Sequence, residues 1–111
     1  MIKKNKILKV YQDEYGKEPF IEWMESIKDV KTRDRIFTRL DRLEVGNTGD
    51  HRPVGSGVFE LKLQFGPGYR IYYGEDGDVL VILLIGGDKK TQSKDIKKAL
   101  SYWKNYKEKK K

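Results

Sequence analysis

The sequence predicts a single α+β domain in which helices pack on a mostly antiparallel sheet. The chain has 111 residues, which is enough for one domain and too few for two. In three segments the apolar side chains recur every three or four residues, which is the helical pattern, and elsewhere they alternate or form short runs, which is the strand pattern. The predicted element order is β-α-α-β-β-β-α, and the predicted domain spans residues 1–111.

The first half of the chain is predicted to form one strand and two helices. The strand covers residues 6–11, and its apolar members are Ile7, Leu8 and Val10. Pro19 marks the start of a short helix, since its fixed φ suits a first helical turn. The apolar side of that helix carries Phe20, Trp23, Met24 and Ile27. A second helix is predicted over residues 32–45, and the following residue, Gly46, is expected to end it. Its core side carries Ile36, Phe37, Leu40 and Leu43.

The outer side of the second helix is rich in arginine. Its members are Arg33, Arg35, Arg39 and Arg42. Because Asp34, Asp41 and Glu44 dilute their charge, we interpret this side as a solvated surface with local ion pairs. A contact with nucleic acid is the less favoured interpretation.

A glycine-rich segment, residues 46–57, is predicted to be a loop that joins the second helix to the sheet. No Lys-Ser or Lys-Thr pair follows its glycines, so the pattern of a phosphate-binding loop is missing. The loop contains His51, which we interpret as an exposed surface residue rather than a catalyst.

The second half predicts a hairpin, a buried strand and a helix. Residues 58–65 alternate, so that the core side of this strand carries Phe59, Leu61, Leu63 and Phe65. Gly66-Pro67-Gly68 forms the turn into a return strand over residues 69–73. The core side of the return strand carries Tyr69, Ile71 and Tyr73. Residues 79–85 form an apolar run that is expected in the middle of the sheet. A last helix over residues 92–106 is expected to bury Ile96, Ala99, Leu100 and Trp103.

Composition excludes several classes of site and membrane segment. The chain has no Cys and one His, so disulfides, thiolate zinc sites, a cysteine nucleophile and a centre of several histidines are all excluded. The run at residues 79–85 is far too short to span a bilayer, and residues 1–11 lack the apolar core of a signal peptide. We therefore expect a cytoplasmic protein that uses no metal and no other cofactor.

The positive charge lies almost entirely at one end of the chain. The chain carries a net charge of +7, and residues 89–111 hold ten Lys and two acidic residues, a net +8. A nearly neutral body with a cationic end indicates a polyanionic partner, with nucleic acid favoured over a membrane. For the tail at about residues 107–111, a solvated segment that only improves solubility is an equally good interpretation.

The polar side of the predicted hairpin carries Lys62 and Arg70 on adjacent strands, with Tyr72 two residues further along. Two cations and a phenol on one exposed sheet face suit a phosphodiester, because the cations can hold the phosphate while the ring stacks on a base. The alternative is an ordinary cross-strand ion pair between Glu60 and Arg70. The pattern by itself favours neither.

Several segments together resemble the RelE/ParE toxin superfamily, and in particular its phage-derived HigB-like branch of addiction module killer proteins. The segments are GVFELK at 57–62, FGPGYRIYY at 65–73, LLIGGDKKTQ at 83–92 with Asp95-Ile96 after it, and RLDRL at 39–43 with Gly46-Asn47 and Gly49-Asp50 after it. The resemblance covers residues 9–103 and implies a RelE-like α+β fold.

The resemblance also implies an activity and a site. It implies a toxin of a type II toxin–antitoxin pair that cleaves messenger RNA on the ribosome through attack by the RNA's own 2′-hydroxyl. By position, the catalytic residues would be Lys62, Arg70 and Lys89. Substrate binding would fall to Tyr72, Lys90 and Lys94. In this scheme Arg70 clamps the scissile phosphate, Lys89 neutralises developing charge and Lys62 is the candidate base, with its proton affinity lowered by the neighbouring cations.

The implied partners are a cognate antitoxin protein, messenger RNA and the ribosome, with operator DNA reached only through the antitoxin complex and no membrane. The chain departs from the family pattern at Glu60, where some members have a second strand lysine, and no Tyr occurs between Gly87 and Ser101. Three alternatives therefore stay open: a ParE-like gyrase poison without enzymatic activity, a nucleic-acid-binding module, and a catalytically degenerate toxin.

Overall fold

A five-stranded sheet with helices on both faces organises the structure, a computed structural model that describes residues 5–110. The elements are β1 (Ile7–Val10), α1 (Pro19–Ser26), α2 (Val30–Glu44), β2 (His51–Gly55), β3 (Val58–Lys62), β4 (Arg70–Asp76), β5 (Leu80–Gly87) and α3 (Gln92–Lys109). The strand order is β1-β5-β4-β3-β2, in which β1 runs parallel to β5 and the other pairs are antiparallel. The predicted α+β class with a mostly antiparallel sheet is confirmed.

Each face of the sheet carries its own hydrophobic core. On one face α1 and α2 cover the strands, and the buried residues there include Phe20, Met24, Ile36, Leu40, Leu43, Leu61, Ile71 and Tyr73. On the other face α3 covers Val58, Tyr72, Ile82 and Leu84 with its own Ala99 and Trp103. The apolar run of β5 follows from this arrangement, because a strand covered on both faces has no solvated side.

The predicted loop at residues 46–57 contains a strand, β2, which corrects the sequence-based interpretation. This strand pairs antiparallel with β3, so that His51 lies opposite Leu61 and Arg52 opposite Glu60, and its ladder is irregular between Pro53 and Gly55. Proline and glycine are tolerated here because β2 is an edge strand with a bulge. The extra strand brings His51 and Arg52 next to the hairpin.

The helices also differ in detail from the predicted ones. Phe37 is 52% exposed and does not join the core, because Ile36, Leu40 and Leu43 already complete the buried stripe of α2. Helix α3 continues to Lys109, so most of the predicted tail is helical, while Lys111 lies outside the described residues. Among residues 5–110, no helix is long and apolar enough to cross a membrane.

Candidate functional site

An open groove of about 320 Å³ lies where β2, β3 and β4 meet the start of α3. We call it the sheet groove, and it is lined by Asp50, His51, Arg52, Glu60, Lys62, Arg70 and Gln92. The strand register brings these residues together, because Lys62 pairs with Arg70 across β3 and β4 while Arg52 pairs with Glu60 across β2 and β3. Three cationic side chains thus surround one buried carboxylate.

Arg70 lies at the floor of the sheet groove and is only 5% exposed. Its Nη1 donates a hydrogen bond to the carbonyl oxygen of Gly68 at 2.6 Å, and its Nε lies 3.7 Å from Glu60 Oε2. That second distance is too long for a hydrogen bond, and Nε has no hydrogen-bond partner among the described residues. Because Arg70 also lines the groove, its guanidinium is a cationic donor that an anionic ligand in the groove can meet.

Glu60, at 3% exposure, holds the groove together. Its Oε1 accepts a hydrogen bond from Arg52 Nε at 2.8 Å, and its Oε2 accepts hydrogen bonds from the Tyr72 hydroxyl and Gln92 Nε2, each at 2.9 Å. Burial opposes ionisation, but the hydrogen bonds from Arg52, Gln92 and Tyr72 outweigh it and lower the pKa of Glu60. The group is therefore a carboxylate at neutral pH.

The expectation that Tyr72 is exposed and stacks on a base is wrong. Tyr72 is fully buried, because α3 covers this face of the sheet and Trp103 and Ala99 belong to the same apolar cluster. Burial and the hydrogen bond to Glu60 raise the pKa of Tyr72, so the hydroxyl stays protonated and acts as a donor. The expected exposure of Arg70 is also wrong, since its side chain is buried against the Gly68 carbonyl oxygen and Glu60.

The predicted lysines fall at different places. Lys62 is exposed and lines the sheet groove beside Arg70. Lys89 is exposed and lies beside the turn that anchors Arg70. Its backbone N–H donates to the Pro67 carbonyl oxygen at 3.4 Å. A Cβ added to Gly68 would lie 3.6 Å from the Cβ of Lys89.

Lys90 and Lys94 are both exposed and do not line the sheet groove. Lys90 lies in the turn before α3. Lys94 comes two residues after Gln92, which reaches down to Glu60, so the helical period directs Lys94 to the outer side of α3. The structure therefore brings together Lys62 and Arg70, with Lys89 next to them, and leaves the other two lysines apart.

His51 was not expected to be part of the site, although its expected exposure is confirmed. It lies on β2 at the wall of the sheet groove, and its ring centroid is 5.8 Å from that of Phe59. Nδ1 is 3.3 Å from the carbonyl oxygen of Gly49, which can only accept a hydrogen bond. In the neutral ring this contact is a hydrogen bond when Nδ1 carries the hydrogen, and Nε2 is then an acceptor.

Fold and groove together define a small basic α+β protein with an open groove in which three cationic side chains lie close together. Comparison with family models matches residues 22–104 to the family described as "Phage derived protein Gp49-like", and the chain belongs to this family of toxin–antitoxin toxins in the RelE/HigB-like class. The matched segment includes every residue that lines the sheet groove. An uncharacterized protein of Haemophilus influenzae is 48% identical over 80 residues, which cover 72% of this chain and 81% of that protein.

Proposed function

We propose that the protein is the toxin of a type II toxin–antitoxin pair and cleaves messenger RNA on the ribosome. The observation that carries this proposal is the Arg70 guanidinium, which is held by the Gly68 carbonyl oxygen and lines one groove with Lys62 and His51. Membership of a family of toxin–antitoxin toxins supports the same assignment.

In the proposed reaction the RNA supplies its own nucleophile. The 2′-oxygen attacks the adjacent phosphorus and loses its proton to a base, the bond from phosphorus to the 5′-oxygen breaks, and the leaving oxygen takes a proton from an acid. The products are a 2′,3′-cyclic phosphate and a 5′-hydroxyl. Charge accumulates on the equatorial oxygens, where Arg70 donates hydrogen bonds and Lys62 and Lys89 add positive potential.

For the proton transfers, His51 is a better candidate than the lysine assigned from the sequence. Imidazole is the side chain suited to accept and donate protons near neutral pH, and the contact of Nδ1 with Gly49 leaves Nε2 as an acceptor. Lys62 is then the candidate for the second proton transfer. Glu60 is a positioning residue, since its two oxygens already accept hydrogen bonds from three side chains.

The proposed partners follow from this activity. A cationic groove that reaches RNA needs to be masked when the toxin is idle, and a partly disordered antitoxin can cover a large surface and still be removed by proteolysis. The ribosome orients the messenger RNA for in-line attack, which compensates for the small open groove. Operator DNA is contacted through the antitoxin complex.

The test is a translating lysate supplied with purified protein, followed by mapping of messenger RNA ends. We expect new ends within ribosome-bound RNA that carry 2′,3′-cyclic phosphates, with loss of these ends for Arg70→Ala. Lys97→Ala, an exposed change on α3 outside the sheet groove, is the matched control. If cells that express the protein stop growing and show inhibited DNA supercoiling, while the lysate yields no such RNA ends, the gyrase-poison alternative would replace the proposal.

A further inference from the structure

A second cationic groove, of about 400 Å³, lies between α2 and the end of β3. We call it the arginine groove, and it is lined by Arg35, Arg39, Arg42, Asp50, Lys62 and Phe65, among others. We propose that the arginine groove binds the backbone of single-stranded RNA beyond the scissile phosphate. This inference rests on the proposed function, because it extends the path of the same substrate.

Helical spacing gathers the arginines and separates them from the acids of α2. Arg35, Arg39 and Arg42 follow one another at steps of four and three residues, so they project from one side of the helix. Asp34, Asp41 and Glu44 do not line the groove. The interpretation of this side as a solvated surface stays a prediction, and the clustering of the arginines away from these acids favours the nucleic-acid contact instead. Among the described residues that line the groove, four cations face one carboxylate, Asp50.

Arg39 is held in place before any ligand arrives. Its Nη2 donates to the Thr48 carbonyl oxygen at 2.6 Å and its Nη1 lies 3.4 Å from the Asn47 carbonyl oxygen. Gly49, with φ +58°, makes room for this guanidinium, since a Cβ there would overlap Nη2. Burial and then the nearby Arg42 charge lower the pKa of Arg39, and the charge of Asp50 opposes this shift only in part, so a further anion beside Arg39 would favour its charged form.

Arg35 adds a platform for a base. Its guanidinium carbon lies 3.9 Å over the centroid of the Phe65 ring, so the two planar groups are stacked. Arg35 is itself exposed, which leaves its outer plane available. Unpaired RNA bases stack on guanidinium planes and on aromatic rings in this way. An acidic peptide would pair with the charges but would make no use of this platform.

The two grooves are adjacent, because Lys62 and Asp50 line both of them. In our proposal a strand whose scissile phosphate lies at Arg70 passes Lys62 and then enters the arginine groove. Together with the platform at Arg35, this path favours RNA over an acidic protein segment as the occupant. It also predicts that only a strand longer than the sheet groove can reach the arginines.

The test measures binding of single-stranded 2′-O-methyl RNA, which lacks the attacking hydroxyl, by fluorescence anisotropy over a range of salt concentrations. Two lengths are compared, about 4 and about 12 nucleotides, at the two ends of the usual range of site sizes. The variant is Arg35→Ala/Arg42→Ala, and the matched control is Lys9→Ala/Lys17→Ala, which removes the same charge from exposed positions outside both grooves and outside the cationic segment 89–111. Thermal melts establish that each variant is folded.

We expect the arginine variant to lose affinity for the long RNA, with a log–log salt slope about 0.7 smaller, since the lost phosphate contact of Arg42 removes about 0.7 and Arg35 is assigned to base stacking. The short RNA and the control variant should be unaffected. Arg42→Gln alone should reduce the slope by about 0.7, which keeps the test decisive if the double variant does not fold.

Unchanged slopes would overturn the inference. So would loss of affinity for a poly-glutamate peptide with RNA binding intact, which would assign the groove to an acidic protein segment. Because binding is measured without cleavage, the outcome is separate from that of the proposed activity. Wild-type protein that binds the long RNA through these arginines but yields no cleaved ends would remove the activity and keep the groove.

Discussion

Replacing Glu60 by glutamine should destabilise the protein far more than its isosteric shape suggests. The carboxylate is buried and accepts hydrogen bonds from Arg52, Tyr72 and Gln92, with the Arg70 guanidinium 3.7 Å away. A glutamine side chain offers one acceptor oxygen and one NH2 group. If the NH2 group is turned toward Arg52, it faces a guanidinium that can only donate. If it is turned toward Tyr72 and Gln92, those two side chains must reverse their hydrogen bonds, and in both cases Arg52 and Arg70 lose the negative charge.

The magnitude follows from these contacts. A hydrogen bond to a charged group is worth about 1.5–3 kcal/mol, and the contribution of Arg52 is at the low end because its side chain is 58% exposed. Arg70 is buried and loses its counter-charge as well, which adds to the cost. We expect the free energy of unfolding to fall by about 2–4 kcal/mol at pH 7. For a domain of this size the melting temperature should drop by at least about 8 °C.

The assay is a pair of thermal or urea melts at pH 7 and near pH 3, with Glu75→Gln on the exposed part of β4 as the matched control. The hydrogen-bonded network lowers the pKa of Glu60 in the folded state, so the stabilisation is present above the unfolded-state pKa and is lost as the pH falls through the folded one. The difference between wild type and Glu60→Gln should therefore shrink in acid. An equal difference at both pH values, or none at pH 7, would refute the reasoning.

Three further predictions concern activity and the core. Arg70→Ala should slow single-turnover cleavage on ribosomes by about 100-fold or more. Arg70→Lys should recover only part of the lost rate, because an ammonium group cannot make the two-pronged contact of a guanidinium. Wild-type rates in both variants would exclude Arg70 from catalysis. His51→Ala should slow the chemical step by roughly 100-fold or more without weakening RNA binding, and added imidazole should partly restore it; a normal cleavage rate would return the proton transfer to Lys62. Leu61→Ala, at a fully buried position, should cost about 2–5 kcal/mol in urea melts, whereas the half-exposed Phe37→Ala should cost much less, and equal losses would contradict the assigned core.

Periodicity predicted the core well because it reports which side chains avoid water. Leu61, Ile71 and Tyr73 lie on one buried face, as the alternation of the hairpin strands requires. It did not predict β2, since Pro53 and Gly55 are typical of loops and the strand is recognisable only by its pairing with β3. His51 was consequently left outside the site. No local signal marks it, because its place depends on that ladder.

The alternating pattern of the hairpin strands also led to a wrong prediction, namely that their second face is exposed to solvent. Polar residues at alternate positions predict a solvated face, but polarity alone does not distinguish a residue that meets water from one that meets a polar partner. Tyr72 and Glu60 hydrogen-bond to one another under α3, and Gln92 joins them from the helix. The Glu60–Arg70 contact and the cationic groove, which the sequence presents as alternatives, are both found in one site.

The burial of position 60 explains why a carboxylate, rather than a second lysine, is compatible with this site. Position 60 is 3% exposed and lies next to the buried Arg70, so a lysine there would place two like charges in a region from which water is excluded. Glu60 instead compensates Arg70 while leaving the Nε of Arg70 without a hydrogen bond. The second cation that the resemblance led us to expect on this strand is replaced across the ladder by Arg52, whose exposed guanidinium is tethered to Glu60 at the wall of the sheet groove. The positive charge of the groove is thus preserved, and in the proposed mechanism Glu60 acts on the RNA only through the two arginines beside it.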